Sequence, residues 1–501
     1  MAYDAAVVTA AVIEPRVHSH GLDRTLVRGV TWTGGVKLLT VLLGWTSTVI
    51  VAQILSPADY GLVTMATVFI GLTTMITDFG LGSAIVALRD LNVELASQLH
   101  AAAALFGVAA FAVSCIAAVP LSRFFGTSSL VPVIIVLSTV LVLDSLRIVR
   151  TSILARDLRF KYLSLLEALK SLTAVGFTLA LVFAGSGYWA LVLGNVFASL
   201  VATLFVMIRL PQQFGRPRWR TLKSTLMFSS HFFVGSLAWY GYSNSDFVVA
   251  GRVLGRRALG EYTLAWTLIS APADKIMSVF GRVMPTMFAA VQRDVAALRR
   301  YFLLFTEVLG ILMIPASAGL ALVARDFILL IFGTKWAPAV VPLQLLCFFS
   351  SVNVLGNVPL PVLQVTGQAS FPARWGLVML GILPPAFYLS GREWGTVGIA
   401  AIWLGIFPVL LIPVFTRVFR TLDMTAGDYL ACLGPTLMSV AVMAIAVLTI
   451  RALMPAAWAP AWRLAMQVIN GAAAFILSAF LIQRRRLGVL ADFTRSIRNT
   501  S

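Results

Sequence analysis

The sequence predicts an all-α polytopic membrane protein with about fourteen transmembrane helices. Three observations predict it. Of 501 residues, 59% are apolar and 12% charged, where a soluble chain carries about 25% charged residues. Apolar runs recur at roughly 20 residues, the length a helix needs to cross a hydrocarbon core about 30 Å thick, without the ten-residue alternation of barrel strands. The basic residues also segregate between alternate loops.

Hydropathy and helix breakers place the spans at 31–55, 60–82, 97–119, 130–147, 163–184, 188–208, 227–251, 259–288, 302–323, 338–365, 374–390, 395–416, 429–450 and 463–483. The first two form a hairpin, Gly29 to Ala87. Its link, Ser56-Pro57-Ala58-Asp59, reads as a helix start: Ser56 as N-cap, Pro57 as first helical residue, Asp59 as the reciprocal acid of a capping box. A partial echo follows. Gly61, Thr64 and Ala66 match Gly260, Thr263 and Ala265 at an offset of 199, and Val51-Ala52 match Val249-Ala250 at 198. The shared offset and similar layout point to an internal repeat.

The fourth span is short, and Pro359 and Pro361 interrupt the tenth. Sixteen of 21 prolines follow Pro211, and such interruptions are tolerated where helices line a cavity. Pro272, Pro285 and Pro315 are the expected kinks. Gly251-x-x-x-Gly255 reads as a close-packing motif. The first span is longer than a signal-peptide core and no cleavage site follows, so it is expected to be retained.

With the amino terminus inside, interior segments hold 25 of the 38 Lys and Arg residues, exterior segments 9, and four lie within spans. This excess puts both termini in the cytoplasm. It also accounts for the +18 net charge without nucleic acid, since the basic side chains meet anionic membrane lipids instead. The expected organisation is a cytoplasmic tail (1–28), an amino-terminal lobe (29–208), a cytoplasmic linker (209–226), a second lobe (227–424), two additional helices (425–483) and a basic tail (484–501). The linker has room for a surface helix, and its Arg216-Pro217-Arg218-Trp219-Arg220 suits a membrane interface.

Catalytic and metal chemistry find little support. Cys115, Cys347 and Cys432 lie in apolar runs and read as packing residues. His18, His20, His100 and His231 form no ligand set, and no phosphate loop or hydrolase motif occurs. Neither cofactor nor metal is expected, and the chain does not read as an enzyme.

Ionisable groups within spans are the functional candidates, because they are costly there. Lys37 sits about 12 Å into the first span. Lys275 and Arg282 lie a heptad apart in the eighth, roughly on one face. Three cations in two spans suit an anion such as a phosphate or diphosphate. Asp246, Asp274 and Asp78 are candidate coupling or pairing acids. Plainer readings stand beside these: Lys37 can snorkel inward, Asp246 can pair with a neighbouring base, Asp78 and Glu307 can reach the interface, and Glu167 with Lys170 reads as a boundary i,i+3 pair.

VAQILSPADYGLVTMATVF followed by ITDFGLGSAIV, and FVVAGRVLGRRALGEYTLAW followed by RVMPTMF, carry a resemblance across about residues 25 to 430. The chain resembles the polysaccharide-transport branch of the multidrug/oligosaccharidyl-lipid/polysaccharide exporter superfamily, and is most similar to colanic-acid-type (Wzx-like) exporters. The resemblance implies two helical lobes around a central cavity, as in MATE transporters, opening alternately to each side. It implies a bacterial inner-membrane flippase for an undecaprenyl-diphosphate-linked oligosaccharide, working beside glycosyltransferases and a polysaccharide polymerase. A basic cavity for the diphosphate agrees with Lys37, Lys275 and Arg282, although these match no family motif residue by residue. The alternative is a drug or organic-cation antiporter on the same fold, whose cavity acids would dominate.

Overall fold

The computed structural model describes residues 43–78, 85, 92–157, 159–211, 213–216, 235–368, 370–455 and 457–500. Some helices start where a side chain satisfies orphan amides of the first turn. The link between α1 (Leu43–Ile54) and α2 (Pro57–Asp78) forms the expected capping box. The Asp59 amide donates to Ser56 Oγ at 3.3 Å, and the Ser56 amide donates to Asp59 Oδ2 at 3.0 Å. Asn92 caps α3 (Val93–Phe125), accepting from the Leu95 amide. Gly126, at φ 65°, ends that helix in the left-handed region glycine favours.

There follow α4 (Leu130–Arg156), α5 (Phe160–Phe183) and α6 (Trp189–Arg209). Residues 235–249 form α7, which passes through one π turn (Ala250–Leu254) into α8 (Gly255–Ala290). Gly255 sits at φ 82° with no atom within 4 Å of an added Cβ. In the 251–255 motif it therefore serves the turn, while Gly251 meets Phe125. Next come α9 (Val295–Ile331), a 3₁₀ turn (Thr334–Ala339), α10 (Val340–Gly356) and α11 (Pro359–Val365). The chain ends with α12 (Ser370–Thr421), α13 (Ala426–Leu453) and α14 (Pro460–Thr500).

Among the described residues, ten stretches are long and apolar enough to cross a bilayer. One of them, α12, carries both expected spans 374–390 and 395–416 and turns at Gly395 (φ 62°, ψ −144°). The tenth expected span runs through α10 and α11, with the break just before Pro359. Pro272 and Pro285 lie inside α8 and Pro315 inside α9 without ending either helix. At 36 residues α8 is long enough to span but is not among the ten apolar ones. Exposed Leu105, Val113 and Ile116 on α3 and Leu430, Met438 and Ile445 on α13 would be a liability in water and suit acyl chains.

Of the linker, residues 209–211 and 213–216 are described, and they dock on the amino-terminal lobe. The Gly215 amide donates to Ser97 O at 3.0 Å, Arg150 donates to Pro211 O, and Phe214 packs edge-on to His100. The expected interfacial segment beyond Arg216 lies outside the described residues.

Packing divides the molecule by depth. At the end where α1 turns into α2, the link end, one core joins both lobes. It holds Ala52, Leu62 and Ala66 together with Tyr262, Ala265, Trp336 and Leu343. Towards the far end the cores belong to single lobes. One contains Phe288, Phe302, Val358 and Val418 of the second lobe; two smaller ones contain Leu99 with Val149, and Leu166 with Ala202, of the first.

Candidate functional site

The site is defined by where the lobes meet and where they part. At the link end α2 crosses α8 through two glycines. A Cβ added to Gly61 would lie 1.7 Å from Arg256 O and 3.0 Å from the Gly260 amide. A Cβ added to Gly260 would lie 1.7 Å from Pro57 O and 2.9 Å from the Gly61 amide. No other residue type permits this approach. Side chains from beyond α9 then close over the end of α1, whose last carbonyls have no helical partner. Lys335 Nζ donates to Gln53 O at 2.6 Å and to Leu55 O at 2.8 Å, and Trp336 Nε1 donates to Ala52 O at 2.9 Å. In return Gln53 Nε2 donates to Ile331 O at 2.7 Å, and Tyr60 packs edge-on to Trp336.

The same face of α8 can be followed into the region where the cores separate. Eighteen residues make five turns, so Ser278 lies in line with Gly260. Position 282 and Lys275 lie about 40° and 60° round the helix from that line, and Val279 about 100°, all to one side of it. Lys275 and Val279 are exposed there. Beyond the link-end contact, α8 thus presents an exposed cation at the depth where the cores belong to single lobes. Asp274 is exposed beside it, and the two opposite charges interact.

Of the remaining candidates, Lys37 lies outside the described residues. So do the side chains of Asp78, which ends α2, and of Arg282, which lies within α8. Asp246 needs correction as a residue paired with a neighbouring base. It is fully buried and accepts from Tyr262 Oη at 2.7 Å, Trp403 Nε1 at 2.9 Å and the Phe247 amide at 2.9 Å. Phe247, Trp266, Phe387 and Trp403 pack as an aromatic cage in this region. Neutral donors from α8 and α12 reach the carboxylate, and among the described residues no ion pair to it occurs.

Glu167 with Lys170 is corrected too. Lys170 lies ten residues into α5, about 15 Å from its start, and points to Asp144 of α4. Its Nζ is 3.7 Å from Asp144 Oδ2, while Arg147 Nη2 is 2.8 Å from Oδ1 and Ser199 of α6 also donates there. The sequence reading passed over Asp144 although it lies within the expected fourth span, 130–147; α4 continues to Arg156. The Asp144-x-x-Arg147 spacing was the available signal. Asp144→Ala leaves two cations without their shared anion at bilayer depth. It is expected to cost about 1–3 kcal/mol, read as a lower melting temperature in detergent. Adding Lys170→Met should recover part of the loss.

A separate apolar groove of about 850 Å³ lies between α10, the second arm of α12 and α13. Leu355, Leu411, Phe415 and Leu433 line it, and Arg420 and Asp423 also border it.

Comparison with known proteins places this architecture. The chain is 26% identical over 379 residues to an uncharacterised membrane protein of the cps region of Klebsiella pneumoniae, covering 75% of this chain and 78% of that one. It is 26% identical over 423 residues to the lipopolysaccharide biosynthesis protein WzxC of Escherichia coli (strain K12), covering 81% and 83%. Its fold matches the lipid II flippase MurJ in an inward closed conformation with a TM-score of 0.75 at 12% identity, covering 91% of this chain and 100% of that one. Residues 50–341 match the family described as polysaccharide biosynthesis protein, and the chain belongs to that family.

Proposed function

We propose that the protein flips a lipid-linked oligosaccharide across the bacterial inner membrane, from the cytoplasmic to the periplasmic leaflet, by alternating access between its lobes. The observation that carries this is the continuity of one α8 face, from the Gly260 contact to exposed Lys275. It gives a cleft that is shut at one end and cationic beyond, suited to a diphosphate headgroup. Family membership and the fold shared with a lipid II flippase support the same cargo class. The basic residues of the loops put both termini in the cytoplasm, which makes the link end periplasmic. Lys37 and Arg282 are assigned to the same anion site. The apolar groove beside Arg420 suits the hydrocarbon part of such a lipid.

The diphosphate moves outward across an inside-negative membrane. Two negative charges gain about 4.6 kcal/mol at 100 mV, so the potential alone can drive the net step. Glycosyltransferases supply the cargo and a polymerase consumes it. In a deletion strain, the lipid-linked repeat unit should accumulate on the cytoplasmic leaflet, protected from glycosidase added to spheroplasts. Accumulation on the periplasmic leaflet would place the protein after the flip and sink the proposal.

A further inference from the structure

The contact between α2 and α8 is reciprocal. Gly61 faces the carbonyl of Arg256, and Gly260 faces the carbonyl of Pro57. Pro57 to Arg256 is an offset of 199, and Gly61 to Gly260 is the same. This is also the offset at which Thr64 and Ala66 echo Thr263 and Ala265. Two equivalent segments therefore meet each other through equivalent atoms, as a two-fold axis between the glycines requires. The carbonyls are placed for Cα–H···O contacts, which recur at close helix crossings.

We infer that the Gly61–Gly260 crossing is a two-fold latch, which closes the cleft at the link end and opens as a single unit in each transport cycle. Three features make it a latch as well as a packing contact. It lies between lobes whose far-end cores are separate. It has no room for a methyl group on either side. The bonds around it, from Lys335, Trp336 and Gln53, all cross from one lobe to the other. A methyl on either glycine pushes the same two backbones apart. The two single substitutions must then act alike, and the second must add little to the first. For its transport arm the inference rests on the flippase reading; its labelling arm does not.

The test uses the full chain with Cys115, Cys347 and Cys432 replaced by alanine and one reporter, Met65→Cys. Met65 lies on the turn after Gly61 and is 2% exposed. A membrane-impermeant maleimide is applied to spheroplasts and to inverted vesicles. Gly61→Ala and Gly260→Ala should each raise labelling at least fivefold from the link-end side, and the double variant by less than twofold more. Gly281→Ala, also on α8 but with open space around it, should leave labelling unchanged. If either alanine variant fails to accumulate, Lys335→Ala with Trp336→Phe replaces it. That variant removes the three hydrogen bonds to α1 without crowding, and should act in the same direction.

Unchanged labelling in an inserted variant overturns the latch. So do effects of the two glycines that multiply. If labelling rises as expected but cytoplasmic-leaflet intermediates do not change, the latch stands and the cargo assignment falls.

Discussion

Replacing Lys275 and Arg282 together with alanine abolishes export while the folded protein stays in the membrane. The Lys275 side chain is exposed on α8 at the depth where the cores belong to single lobes, so it adds little to packing. Its removal therefore spares the cores. Transport depends on it differently. A diphosphate entering a cleft within the bilayer loses water, and each charge that leaves water unpaired costs several kcal/mol. Cations on the cleft wall offset that cost. Losing about 3 kcal/mol of such compensation slows the step more than 100-fold. Polymer yield in a complemented deletion strain, normalised to protein in the membrane fraction, is the measurement. Lys275→Arg with Arg282→Lys, which keeps both charges, should retain export. Normal yield from the double alanine variant would remove the anion site from this face of α8.

The second large effect is expected at Asp246, and there it should appear as stability. Asp246→Leu leaves the Tyr262 hydroxyl and the Trp403 indole N–H as buried donors without an acceptor. Each such group costs about 1–3 kcal/mol, so the pair should cost about 2–5 kcal/mol. That suffices to deplete the protein from the membrane, and it is read from thermal unfolding in detergent. Asp246→Asn keeps an acceptor oxygen and should cost less than half as much. The asparagine variant also separates two roles. If it flips cargo normally, Asp246 is a strut between α7, α8 and α12. If it folds normally and fails to flip, the carboxylate is the group that couples transport to an ion.

Sequence reading succeeded where the cause is local. The Ser56–Asp59 box, the break before Pro359 and the reversal near Gly395 each depend on residues within a turn of one another. The 199-residue echo was legible as well, but not its meaning, because nothing in the pattern says that the two copies touch. Asp246 was singled out as an ionisable group within a span, near its outer end. Its partner Trp403, 157 residues away, supplies a donor that charge-based reading does not look for. Lys170 was matched with the nearest acid along the helix. The acid that holds it sits on α4. Lys275 stood out as a charge in a span, while its exposure followed once the Gly260 contact fixed which way α8 faces.

The closure over α1 has an uneven grammar. Lys335 and Trp336 address main-chain oxygens of residues 52, 53 and 55, and Gly61 and Gly260 address main-chain atoms of each other's helix. Any amino acid supplies those oxygens, so this half of the closure reads the path of the chain, and of the side chains there Gln53 takes part through its own bond to Ile331 O. The information that shuts this side of the protein is written almost entirely on the donor residues and the two glycines.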